Sequence, residues 1–119
     1  MSDKPWKQFE RDVAAILGGE RFWANSGEKI DVESKRFRCQ CKHVARMSLG
    51  ELTDLALEAQ HQGFPDKVGI VAVKLRSGSG RKTPTLFVLT EAAWNDMRAD
   101  ARADFEALTQ AEYGKAKED

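Results

Sequence analysis

The run FRCQCKH, residues 37–43, carries two cysteines, a glutamine, a lysine and a histidine on what reads as a single strand. Those types admit two chemistries. Cysteine, cysteine and histidine are soft metal ligands or a redox pair. Glutamine and lysine two positions apart set an amide oxygen beside an ammonium, a pairing suited to a hard cation and a phosphate. Side chains alternate along a strand, so Phe37, Cys39, Cys41 and His43 share one face while Arg38, Gln40 and Lys42 share the other.

The cysteine face reads as core. Phe37, Cys39 and Cys41 form an apolar series, and a free cysteine packs as a small hydrophobe. Ligands alternating on one strand cannot surround a tetrahedral zinc, and the chain has only these two cysteines. A disulfide between them would close too short a loop, so reduced thiols are expected. His43 falls on the same face and reads as structural. On the opposite face the preceding segment IDVES projects Asp31 away from Ile30 and Val32, whose apolar character marks the buried side. Asp31, Gln40 and Lys42 can therefore converge, offering a carboxylate, an amide oxygen and an ammonium for metal-assisted phosphodiester cleavage.

The stretch SGEKIDVESKRFRCQCK resembles the active-site hairpin of the PD-(D/E)XK nuclease superfamily, in which an aspartate is followed after a short hairpin by Glu-x-Lys. The resemblance covers roughly residues 6–90 and implies a restriction-endonuclease-like αβββαβ core within an α/β fold, a small mixed central sheet flanked by helices. It makes Asp31 the motif aspartate, Gln40 the acidic position, Lys42 the motif lysine and Glu10 the helical glutamate. The Ser26-Gly27 turn is similar to that of archaeal-type Holliday junction resolvases and Mrr-like endonucleases. Ile30 stands where the name-giving proline would be. Gln40 replaces the usual glutamate, as in the Gln-x-Lys of Mrr-like members.

What the resemblance implies is a Mg²⁺- or Mn²⁺-dependent DNA endonuclease. Glu10, Asp31, Gln40 and the Cys41 backbone carbonyl are its expected metal ligands, and Lys42 its expected aid to the attacking water. Expected DNA contacts are Ser26, Lys29, Lys35, Arg36, Arg38, Arg46, Arg76, Arg81 and Lys82, which would read backbone shape more than sequence. The leading version is a structure-directed homodimer acting on branched DNA, as a Holliday junction resolvase does. Alternatives are a nicking or end-processing nuclease, or a non-catalytic DNA-binding or assembly module, the last motivated by the charge missing at Gln40. Plainer roles compete residue by residue: Glu10 as a solvent-facing charge beside Lys7 and Arg11, Asp31 as a turn carboxylate, Lys42 as a surface lysine. Gln60, on the second helix, reads either as lining the cleft or as helix surface.

The elements that must position these residues follow from periodicity. Residues 5–17 place Trp6, Phe9, Val13, Ile16 and Leu17 at helical spacing, with Pro5 in a first-turn position and Gly18-Gly19 as the stop. Three strands are expected over residues 21–24, 30–34 and 37–44. Residues 48–62 form a second helix, with Ser48 as N-cap, Glu51 completing a capping box, and Leu49, Leu52, Leu55 and Ala59 on the buried face. The runs VGIVAVKL, residues 68–75, and TLFVLT, residues 85–90, read as strands covered on both faces, joined by the polar loop SGSGRKTP. Thr90 caps a third helix with Trp94 and Met97 inward.

At 119 residues the chain reads as a single nuclease-like domain, 1–119, with its core over about 5–98 and an acidic helical tail over about 99–119. Charge is balanced overall at nineteen of each sign, yet residues 91–119 hold four Lys or Arg against eight Asp or Glu, so the basic surplus falls on the motif-bearing part. No apolar run approaches a membrane span and the N-terminus lacks a signal-peptide core. The expected setting is the cytoplasm of a bacterium or archaeon, or of a phage-infected host, with no membrane partner.

Overall fold

The computed structural model describes residues 5–21, 30–76 and 82–99. Helix α1, Pro5–Leu17, buries Phe9, Glu10, Val13 and Ala14 along one stripe. Its outer face is laced by local pairs, Gln8 Nε2 donating to Asp12 Oδ1 at 2.9 Å and Arg11 donating to Gln8 at 3.2 Å. It stops at Gly18, whose φ of 67° is open to a residue without Cβ, and the next amide, Gly19 N, returns to Ala14 O at 2.8 Å. Strands β1, Glu20–Arg21, β2, Val32–Glu33, and β3, Phe37–Val44, follow. Helix α2, Leu49–Gly63, crosses to β4, Val68–Leu75, and β5, Leu86–Val88, closes the series. Residues 91–99 are helical and are labelled α3.

The strands form one mixed five-stranded sheet in chain order, β1-β2-β3-β4-β5. Pairing is antiparallel except between β3 and β4, which run parallel with Gln40 opposite Val71 and Arg38 opposite Gly69. Parallel neighbours need a crossover, and α2 supplies it. The sheet is therefore covered twice. On one side Phe9, Val13 and Ala14 of α1 and Ala93 of α3 pack on Val32, Cys39, Val68, Ile70 and Ala72. On the other, Ala59, Leu52 and Leu55 of α2 pack on Val71 and Val73.

Small residues set how closely α2 approaches. A Cβ on Gly69 would fall 1.6 Å from Ala59 O, and one on Gly63 would fall 2.3 Å from Gly69 N, so backbone meets backbone at the end of α2. Ser48 caps the other end, its hydroxyl accepting from Glu51 N at 3.1 Å as the capping signal predicts.

Four expectations are corrected. β5 is not covered on both faces: Leu86 is 53% and Phe87 38% exposed, because β5 pairs only with β4 among the described residues and so forms the sheet edge. The second helix turns Leu49, 79% exposed, outward and buries Ala56 and Ala59. In α3 the phase is shifted by one residue, so Ala93 is buried, Met97 packs on the core and Trp94 is half exposed. Trp6 and Ile16, placed on the buried stripe of the first helix, are exposed as well. The first strand begins at Glu20, one residue earlier than expected, and residues 22–24 lie outside the described residues, as does the acidic segment from residue 100. No helix among the described residues is long and apolar enough to cross a membrane.

Candidate active site

The β2–β3 hairpin positions the site. Val32 lies opposite Cys39 and both are fully buried on the α1 side, while Asp31 N donates to Cys39 O at 3.0 Å. One residue before β2, Asp31 turns its carboxylate into the place of a ladder partner: its Oδ2 accepts from Cys41 N at 2.8 Å. Along β3 the carbonyls of Arg36 and Val44 accept from the β4 side, from Val68 N and Arg76 N, whereas the odd positions Cys39 and Cys41 bond toward β2. The N–H and C=O of a strand residue share an edge, so the Cys41 carbonyl is directed to the side on which Asp31 sits.

Glu10 approaches from α1. It is 8% exposed, which removes its reading as a solvent-facing charge, and its Oε1 accepts from Arg21 Nη2 at 2.9 Å and Nε at 3.1 Å. Burial pushes the Glu10 carboxyl above the usual glutamate range; the Arg21 hydrogen bond opposes this and the charge of Asp31 adds to it. Burial likewise lifts Asp31, against the Cys41 N–H bond and the positive charges of Lys42 and Arg21, which pull it down. Two carboxylates within electrostatic reach of one another, each raised, with a main-chain carbonyl turned to the same side, suit a hard divalent cation, which would relieve both costs.

Gln40 is tied elsewhere. It is 3% exposed on the α2 side of the sheet, and its Nε2 donates to Gln62 Oε1 at 2.9 Å. Lys42 shares that face by strand parity and is partly buried, close enough to Asp31 to lower its pKa. The hairpin thus brings Asp31, the Cys41 backbone and Lys42 together, α1 adds Glu10, and α2 holds Gln40 by its amide nitrogen. Among the described residues no three His, Cys, Asp or Glu side chains form a metal-holding group, so any cation here relies on the amide and carbonyl oxygens as well.

The thiols behave as core. Cys39 and Cys41 are both free, Cys39 fully buried and Cys41 partly so. Hydrogen bonding to Cys39, with burial, pushes the Cys41 thiol far up, leaving it protonated and unreactive. His43 packs its ring against Phe9, centroids 5.7 Å apart, and burial lowers its pKa.

The expected DNA contacts divide. Lys35 and Arg36 lie exposed in the β2–β3 turn, whereas Arg46 and Arg76 lie exposed beyond the far ends of β3 and β4. At about 3.3 Å per residue the length of β3 puts roughly 25 Å between the two groups. Lys82 is exposed just before β5. Ser26, Lys29 and Arg81 lie outside the described residues. Arg38, expected as a phosphate contact, is partly buried and engaged within the fold: its Nη1 donates to Gln62 O at 2.9 Å and its Nε stands 3.5 Å from Glu33.

Two site neighbours escaped the sequence reading. Arg21 ends a two-residue strand whose pairing with β2 brings it to Glu10. Gln62 was passed over for Gln60, which instead accepts from the Thr90 hydroxyl. Residues two apart on a helix point about 200° apart, so only one of these glutamines can face β3, but sequence does not say which. Neither a scan of protein-family models nor a search of curated proteins or of solved structures finds a match to this chain.

Proposed function

We propose that this chain is a metal-dependent DNA endonuclease of the PD-(D/E)XK type, acting on branched DNA as a homodimer. The observation that carries it is the buried Glu10 carboxylate and the partly buried Asp31 carboxylate, set against the Cys41 backbone and Lys42 on a helix-backed hairpin. The element order α1-β1-β2-β3-α2-β4, with β3 parallel to β4, agrees with the core that the resemblance implies.

Glu10, Asp31, the Cys41 carbonyl and the Gln40 amide oxygen would hold Mg²⁺ or Mn²⁺, which supplies Lewis-acid polarisation of the scissile phosphate and a more acidic water. Arg21 donates two hydrogen bonds to Glu10 Oε1, which orient the carboxylate and oppose the burial that raises its pKa. Lys42 holds positive charge beside Asp31, where it orients the attacking water and offsets charge on the phosphate. Exposed Arg46 and Arg76, at the end of the sheet toward which Lys42 lies, would bind flanking phosphates.

A purified chain incubated with four-way junctions, flaps and linear duplexes in Mg²⁺ or Mn²⁺ tests this. Cleavage is expected to fall at least about 100-fold in Asp31→Ala and in Lys42→Ala. Equal cleavage by all three proteins would sink the mechanism. The burial of Gln40 against Gln62 favours a second reading, a DNA-binding or assembly module that has lost catalysis. That module would bind junctions without divalent cation and be indifferent to Asp31→Asn.

A further inference from the structure

We infer that Trp6 is the platform on which an unstacked base beside the scissile phosphate lies, with Lys74 and Arg76 holding the backbone of that nucleotide; this rests on the DNA-cleavage reading above. Helical phase and exposure disagree at Trp6. Phe9, Glu10 and Val13 are buried, and Trp6 stands three, four and seven positions before them, on the same stripe of α1. It is nevertheless 43% exposed. A ring in phase with the buried stripe that still meets water overhangs the end of the sheet instead of packing on its core.

The course of α1 shows which end. Phe9 packs on His43, near the close of β3, whereas Gly19, just past the helix, lies against the carbonyl of Glu33, the residue paired with Arg38 near the start of β3. The helix therefore runs antiparallel to β3. Trp6, one turn before Phe9, lies toward the ends of β3 and β4 where Lys74 and Arg76 emerge. Lys74 stands opposite His43 in the register, shares the α1 side with Ile70 and Ala72 by strand parity, and with Arg76 acts electrostatically on the His43 ring. Neither Lys74 nor Arg76 has an ion pair among the described residues. Lys7 Nζ stands 5.5 Å over the Trp6 ring, and its charge also reaches Glu10.

An aromatic surface beside cations that no carboxylate neutralises suits a base and its phosphate. Trp6 and Glu10 are four residues apart, about 6 Å along the helix, so a base on Trp6 belongs to a nucleotide next to the phosphate held at Glu10 and Asp31. A continuous duplex keeps its base faces stacked; a flap or branch opens one. Trp6 thereby favours branched over linear DNA.

Trp6→Ala, Trp6→Phe and Lys74→Ala are made in the full chain, and binding is followed by fluorescence anisotropy with divalent cation chelated, so that no strand is cut. The probes are a flapped duplex carrying 2-aminopurine at its first unpaired position and a continuous duplex of equal length. Trp6→Ala is expected to bind the flap about tenfold more weakly, the scale of one base stacked on one ring, and the continuous duplex within about twofold of wild type. Trp6→Phe should stay within about threefold on both, and Lys74→Ala should weaken both alike. Wild type should quench the 2-aminopurine on binding and Trp6→Ala should not. Equal losses on the two DNAs, unchanged flap affinity in Trp6→Ala, or equal quenching by both proteins would each overturn the stacking role while leaving the DNA-cleavage reading standing. Unchanged binding by Lys74→Ala overturns its part as a phosphate contact. Wild type that binds neither DNA defeats the DNA-cleavage reading, and this inference with it.

Discussion

Asp31 and Glu10 are carboxylates that the fold makes reluctant to ionise, and burial is the leading cause for both. A raised folded-state pKa means that the folded chain binds protons more tightly than the unfolded one. Stability from these groups is then present in full below their ordinary values, 3.8 and 4.5, and is lost as pH rises through the folded values. Asp31→Asn keeps an oxygen for Cys41 N and removes the charge. In metal-free buffer its melting temperature should exceed that of wild type near pH 7, with the difference shrinking as pH approaches 4; Mg²⁺ should raise wild type alone. A constant difference across that range would contradict the electrostatic account. At this scale strand parity placed the side chains of β3 correctly, sending Cys39 to the core and Gln40 to the opposite face. It was blind to Arg21 and Gln62, because their partners lie 11 and 22 residues away in sequence.

At the scale of elements, α2 matters most, since it makes the parallel crossover and carries Gln62. Its Ser48 cap is exposed and local, so Ser48→Ala should cost about 1 kcal/mol in urea denaturation and leave metal affinity unchanged. Gly69→Ala should behave differently. The added methyl meets Ala59 O, and lifting α2 off β4 should cost about 1–3 kcal/mol in urea denaturation. A Gly69→Ala protein as stable as wild type would mean that the glycine contact is not what seats the helix. Helix starts and stops were legible because caps are local chemistry, as Ser48, Thr90 and Gly18 show. The exposure of β5 was not. Its hydropathy resembles that of β4, and only the strand order makes one central and the other an edge.

For the whole molecule the decisive property is how charge is distributed over the two-sided sheet. Arg46 and Arg76 stand at the end nearer Lys42, Lys35 and Arg36 at the other, and Arg38 is bound within the fold. Junction binding followed by fluorescence anisotropy across salt concentrations should lose about one unit of log–log slope per phosphate contact removed in Arg46→Ala and Arg76→Ala. Arg38→Ala should leave the slope nearly unchanged and instead lower stability by about 1–3 kcal/mol, by freeing the α2 carbonyl and Glu33. A slope change in Arg38→Ala as large as in Arg46→Ala would restore it to the DNA surface.

The sequence by itself determined the helix and strand periods, the caps and the parity that divides the cysteines from Gln40 and Lys42, because each depends on residues within a turn or a pleat of one another. Tertiary structure decided what turns on distant segments meeting: the burial of Glu10 under Arg21, the carboxylate of Asp31 on the Cys41 amide, the edge position of β5, and the choice of Gln62 over Gln60 as partner of Gln40. The physical reason is that a residue's type fixes which bonds it can make, whereas the packing of α2 through Gly63 and Gly69 fixes which partner is within reach.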